Sequence, residues 1–186
     1  NKYLNEQVET DVSEAFEKYS TYFFNPVIQQ NIRESKEEQF QEGFLRELFV
    51  NIFGYTLNPN PDYNITTEYK NQTGSKKADG AILKDGKAIA VIELKSTKTK
   101  ELESIRQQAF DYKANQSECV YVITSNFQKI RFYINNAVEF EEFDLFALTE
   151  DCFKVLYLCL NSENLFSDLP LKIKNASLLE EEQITK

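Results

Sequence analysis

The sequence predicts an α/β fold: a mixed central sheet flanked by helices. Apolar residues recur at helical spacing up to Gly54, and the period shifts to two from Ile65 with one helical stretch interposed. Helical spacing returns after Thr149. The resulting order, helix, helix, strand, hairpin, helix, strand, strand, helix, suits helices packed against the faces of a sheet.

Val8, Val12, Ala15, Phe16 and Tyr19 put a helix over 5–20. Phe23 to Val27, with Asn25-Pro26, reads as a break. A second helix is expected over 36–53, where Phe40, Phe44, Leu45, Leu48, Phe49 and Ile52 form one broad stripe. Gly54 suits its stop. Leu57 to Tyr63, holding Pro59 and Pro61, is a loop. Ile65 to Lys70 is a strand, followed by a polar turn over Asn71 to Ser75. Ala81 to Lys84 and Lys87 to Lys95 read as a hairpin around Asp85-Gly86, a favoured type I′ turn. A helix over 100–113 leads to strands at Cys119–Thr124 and Lys129–Ile134, and Phe143 to Leu148 is a short further segment. Thr149 caps a helix that has Glu150 and Asp151 in its first turn and ends near Leu160. From Asn161 the chain reads as a loop-like tail closing on Glu180-Glu181-Glu182. The expected division is an N-terminal helical segment (1–34), a core (35–160) and a C-terminal tail or linker (161–186).

The chain of 186 residues contains no histidine. A Ser-His-Asp triad, a Cys-His pair, a His-ligated zinc and an imidazole base are therefore excluded. Catalysis must run on carboxylates, Lys, Tyr, Ser or a bound ion, and a hard, oxygen-liganded cation such as Mg²⁺ fits that inventory. Cys119, Cys152 and Cys159 lack metal-ligand spacing and read as small apolar residues in a reducing cytosol. No stretch approaches the roughly 20 apolar residues of a membrane helix, and no basic-then-apolar leader is visible. A cytoplasmic protein without membrane contact is expected. Asn1 rather than Met opens the sequence, which points to a fragment of something longer. The net charge of −9 weighs against a free-standing nucleic-acid binder. Lys70, Lys76, Lys77, Lys84, Lys87, Lys95, Lys98 and Lys100 nevertheless crowd the middle, leaving room for a local basic surface.

Chemistry concentrates in Lys76-Lys77-Ala78-Asp79-Gly80 and, after the turn, Ala90-Val91-Ile92-Glu93-Leu94-Lys95. Alternation sends Glu93 and Lys95 to one face of their strand and Ile92 and Leu94 to the other. With the turn centred on Asp85-Gly86, Asp79 falls opposite Ile92, next to Glu93. Sheet twist or one bulge can then bring both carboxylates to a shared site. Asp79 and Glu93 would hold Mg²⁺, with the Leu94 backbone carbonyl as a third oxygen ligand. Lys95 would position water and offset charge on phosphate oxygens; its carboxylate neighbours favour positioning over a base role. The tripeptide Glu-x-Lys alone carries little information, since it recurs at Glu34-Ser35-Lys36 and Glu68-Tyr69-Lys70. A decoy even reads Pro61-Asp62 followed by Glu68-Tyr69-Lys70, but it leaves almost no room for two strands and a turn. From spacing alone, a surface Glu–Lys pair at a strand end competes with the catalytic reading.

Asp79, the fourteen-residue step to Glu93, and Lys95 resemble the PD-(D/E)xK nuclease superfamily. The closer likeness is to the N-terminal nuclease domain of type IIG restriction-modification enzymes and of type I restriction subunits. Phe40-Gln41-Glu42-Gly43-Phe44-Leu45 through Phe53-Gly54-Tyr55 is similar to their glutamate-bearing helix ending near a Gly-aromatic pair. Gln108-Ala109-Phe110-Asp111-Tyr112 matches their Gln-x-x-x-Tyr motif. The likeness spans roughly 35 to 135, and Ala78 replaces the family's proline before the aspartate.

The resemblance implies a restriction-endonuclease-like α/β sandwich and Mg²⁺-dependent hydrolysis of double-stranded DNA. It also implies fusion to methyltransferase and target-recognition domains, whose motifs these residues lack. One active site per chain would favour a transient dimer. Glu38 is the lead candidate for an accessory acid, with Glu42 the alternative one turn on, and Gln108 and Tyr112 are candidates for contact with the site or DNA. The competing class is a catalytically silent domain of the same fold that serves as a docking or scaffold module. A nuclease acting on branched or single-stranded DNA is a third reading.

Overall fold

The computed structural model describes residues 2–74 and 76–185, with side chains through Leu178. Ser75 of the expected turn and the side chains of Glu180, Glu181 and Glu182 lie outside the described residues. The chain opens with helices α1 (Lys2–Asn5), α2 (Glu9–Phe23), α3 (Pro26–Glu34) and α4 (Glu37–Phe44). Strands β1 (Ile65–Lys70), β2 (Lys77–Lys84) and β3 (Lys87–Leu94) follow, then α5 (Glu103–Ala114). After β4 (Tyr121–Ser125), β5 (Lys129–Ile134) and β6 (Phe140–Asp144) come α6 (Glu150–Leu160), α7 (Ser162–Phe166) and α8 (Leu169–Thr185).

The six strands lie in sequence order in one sheet. Neighbours are antiparallel except β3 and β4, which run parallel and are joined by the crossover through α5. A parallel pair needs such a crossover, whereas the antiparallel pairs close through short turns. Val91, Val122 and Tyr133 on one face pack with Ala109 and Tyr112 of α5. On the other face Ala90, Ile92, Leu94, Tyr121 and Ile123 join Tyr19, Phe23, Phe44, Leu48, Phe49, Phe153 and Leu156 from the helices. Helices thus cover both faces of a mixed sheet, the architecture expected from the sequence. Val12, Ala15 and Ile32 belong to the same core, so α2 and α3 pack as part of it. Among the described residues no helix is long and apolar enough to cross a membrane.

One expectation about elements is extended and one corrected. The break at Asn25-Pro26 ends α2 as expected, but a further helix starts at once, because the Asn25 side chain accepts from the Val27 and Ile28 amides and Pro26 opens α3. The tail from Asn161 is helical rather than loop-like: Asn161 accepts from the amides of Glu163 and Asn164 to cap α7, Leu165 is buried, and α8 follows.

Two irregularities decide where α4 meets the acidic ends of β2 and β3. Beyond α4, residues Leu45–Val50 form a π-helical stretch. Asn51 N donates to Arg46 O and Phe53 N to Leu48 O, each spanning five residues rather than four. The second irregularity lies in the hairpin. Its turn has positive φ at both Asp85 (52°) and Gly86 (77°), as type I′ demands. Leu83 faces Ala88, but Ile82 faces Ala90, so Ile89 is a bulged extra residue on β3. Beyond the bulge Gly80, rather than Asp79, faces Ile92. The expected register is therefore off by one, and Asp79 is carried level with Glu93.

Candidate active site

The β2–β3 ladder ends at the pair Gly80–Ile92, although β3 continues to Leu94 and β2 starts at Lys77. Where the strands part, the Asp79 carboxylate takes over the role of a strand partner: Oδ2 accepts from Leu94 N at 2.8 Å. Gly80 stands beside it. A Cβ there would stand 3.2 Å from Leu45 Cδ1 and 3.4 Å from Ile92 Cβ, a tight fit that glycine relieves where the π-helical stretch presses onto β2.

Glu93 is 2% exposed, at the end of a strand whose preceding residues are apolar. Its Oε1 lies 3.8 Å from Lys95 Nζ, and its Oε2 has no hydrogen-bond partner among the described residues. Lys95 Nζ is also 3.7 Å from Glu37 Oε1. Gln41 Nε2 donates to Glu37 Oε1 at 3.2 Å, and the Gln41 side chain also bonds Asp79. Asp79 in turn shares a side-chain hydrogen bond with Glu93. The contacts close a ring: Glu37, Lys95, Glu93, Asp79, Gln41 and back to Glu37.

Three carboxyl groups surround one ammonium in that ring, and all three titrate above their ordinary range. Burial is the largest cause for Glu93, the Asp79 charge adds to it, and together they push its pKa up to about 8 against the pull of Lys95. Burial also raises Asp79, opposed first by the Leu94 amide. Glu37 is raised by burial, opposed by Lys95. Without another cation the two strand acids therefore hold a proton between them near neutral pH. Positive charge is what the cluster lacks.

The candidates from the helix are placed differently from expectation. Glu38 is exposed, and Glu42 is exposed and paired with Arg46. Glu37 and Gln41, each one residue earlier, are the side chains that reach the strand acids. The π-helical stretch explains the correction. Leu45, Leu48, Phe49 and Ile52, extended backwards at regular helical spacing, point to Glu38. The extra residue in the wider turn shifts the phase by one, and Phe40 and Phe44 share their face with Glu37 and Gln41. The local phase of those two phenylalanines was the available signal.

Gln108 and Tyr112 are paired with each other: Gln108 Nε2 donates to Tyr112 OH at 3.2 Å. Gln108 is exposed, while Tyr112 is buried in the α5 layer with Ala78, the neighbour of Asp79. The decoy residues Asp62, Glu68 and Lys70 are all exposed, with Asp62 and Glu68 at positive φ of 59° and 51°. Leaving the acid pair, the chain exposes Lys98 and Lys100 on a loop pinned by Thr97 Oγ1 to Arg33 O (3.2 Å) and by Asn126 Nδ2 to Thr99 O (2.8 Å).

No protein-family model, curated protein or solved structure matches this chain.

Proposed function

We propose that this chain is a Mg²⁺-dependent endonuclease domain that hydrolyses DNA phosphodiester bonds, with Asp79, Glu93 and Lys95 as its catalytic residues. One observation carries the reading: a buried carboxyl and a half-buried one from neighbouring strands converge beside an ammonium, with one oxygen, Glu93 Oε2, left without a partner among the described residues. A buried acid pair is costly unless something positive joins it.

Mg²⁺ meets that demand in charge and in donor chemistry. Among the described residues no group of three or more His, Cys, Asp or Glu side chains forms a metal cage. Mg²⁺ does not need one, because it is commonly held by one or two carboxylates while water and substrate phosphate complete its shell. Asp79 and Glu93 would hold it, with the Leu94 carbonyl as a further oxygen donor. Bound there, the ion supplies Lewis acidity to the scissile phosphate and to the attacking water.

The remaining work falls to the chain. Lys95 orients the water and offsets negative charge on the phosphate oxygens. Glu37 fixes the Lys95 ammonium, and Gln41 ties Glu37 to Asp79 so that helix and strands hold one geometry. Lys98 and Lys100, together with the exposed Lys76 and Lys77 ahead of Asp79, supply phosphate contacts that an overall acidic chain needs locally. The resemblance to restriction nucleases extends the proposal: double-stranded DNA as substrate, a cytoplasmic setting, fused methyltransferase and target-recognition domains, and transient dimerisation to cut both strands.

The test is a calorimetric titration of Mg²⁺ or Mn²⁺ into the chain and its Asp79→Ala variant, with plasmid nicking followed in parallel. Binding by the parent and its loss in the variant is the expected result. Equal binding by both would move the chain to the scaffold reading. Asp62→Ala should leave binding unchanged.

A further inference from the structure

Across β3, β4, β5 and β6 the register aligns Glu93, Thr124, Arg131 and Glu142 in one row. Directly paired residues on adjacent strands project to the same face, so all four stand on the face covered by α5. The adjacent row is Val91, Val122, Tyr133 and Phe140. Where β4 needs only packing it carries valine, and beside Glu93 it carries the near-isosteric threonine.

The far half of the polar row is satisfied. Arg131 bonds Glu142 at 2.9 Å and Glu103 at 2.8 Å, and its guanidinium lies 3.9 Å from the Phe140 ring centroid. The near half is not. Thr124 is 0% exposed and its Oγ1 has no partner among the described residues, and Glu93 Oε2 is equally unpartnered. Buried polar atoms are nearly always hydrogen-bonded. Here two orphans sit on register partners, strands about 4.8 Å apart. One is a hydroxyl that can donate, the other a carboxyl oxygen that can accept.

In the structure the two atoms are not bonded to each other; we propose that Thr124 is a positioning residue for the acid pair: a turn of the two side chains lets its hydroxyl donate to Glu93 and fixes the carboxylate in the orientation that receives the cation. This rests on the nuclease reading for its purpose, but not for its geometry. Valine at this position would fill the same volume and leave Glu93 free to turn. Partners that orient a metal-binding carboxylate change affinity by about 10–100-fold when removed.

The experiment compares the chain with Thr124→Val and Thr124→Ser. Mn²⁺ affinity is read by calorimetry, folding by thermal unfolding, and the metal-free hydrogen bond by proton NMR. Affinity should fall about tenfold or more in Thr124→Val and return in Thr124→Ser, with all three proteins folded. The Thr124 hydroxyl proton should exchange slowly and show a nuclear Overhauser effect to the Glu93 side chain. Unchanged affinity in folded Thr124→Val overturns the inference while the nuclease reading stands. If the parent binds no Mn²⁺, the nuclease reading falls, and the hydroxyl signal decides separately: a protected proton beside Glu93 upholds the positioning contact, and its absence overturns it.

Discussion

Two stretches of this chain spell aspartate followed by Glu-x-Lys, and they occupy opposite environments. Asp62, Glu68 and Lys70 lie on a turn and an edge strand, all exposed. Asp79, Glu93 and Lys95 come from two adjoining strands that part at the right point, and Glu93 is buried to 2% exposure. Water screens the first set and costs its charges little. In the second, desolvation raises both strand acids, and the Asp79 charge raises Glu93 further. The same residue types become a candidate site only where the fold removes solvent and leaves an oxygen unmet.

The difference breaks most readily under alanine substitution. Asp79→Ala or Glu93→Ala should lower metal-dependent nicking by about 10²–10³-fold. Asp62→Ala and Glu68→Ala should stay within about twofold of the parent, as exposed substitutions do. Comparable losses at both places would dissolve the distinction.

Protonation sharpens the contrast further. Glu93 moves from an ordinary 4.5 to about 8 in the folded chain, so the native state holds a proton that the unfolded state has released across that interval. Its contribution to stability is therefore fullest below about pH 4.5 and is lost as pH rises to about 8. Glu93→Gln should stabilise the metal-free protein by about 1 kcal/mol or more at pH 8.5 and by less at pH 5, measured by urea unfolding in chelator. At exposed Glu68 the same change should be worth no more than about 0.5 kcal/mol at either pH. Metal binding should tighten between pH 6 and pH 8, because the cation must displace that proton.

A smaller effect separates neighbours on α4. Glu37→Gln and Gln41→Ala should each lower nicking by about tenfold, since they hold Lys95 and Asp79 in position. Glu38→Gln should change it by about twofold at most.

The sheet and its hairpin were legible because their signals are local. Asp85-Gly86 names its own turn, and the apolar run from Ala88 to Ile92 marks a buried strand. The helix acid was not legible, because one stripe averaged over 36–53 assumed a constant pitch. The π-helical stretch breaks that assumption, and the phase error falls on the turn bearing Glu37 and Glu38. The helices after Asn25 and Asn161 were hidden for another reason. Each begins at an asparagine that serves equally well in a loop, and only the amides it caps reveal the difference. Thr124 gave no signal at all, since a threonine inside an apolar strand is ordinary until its neighbour across the ladder is known.

Ile89 makes the two ends of the hairpin count differently: the tip runs on one numbering, the acidic end on another. Were Ile89 instead taken into the ladder opposite Ile82, the Asp-Gly tip would be untouched and every later residue of β3 would slip one step away from the tip. Val91 would face Gly80, and Ile92 would face Asp79. Every chemical group would still be present, yet the carboxyls would be out of mesh, like gears offset by one tooth.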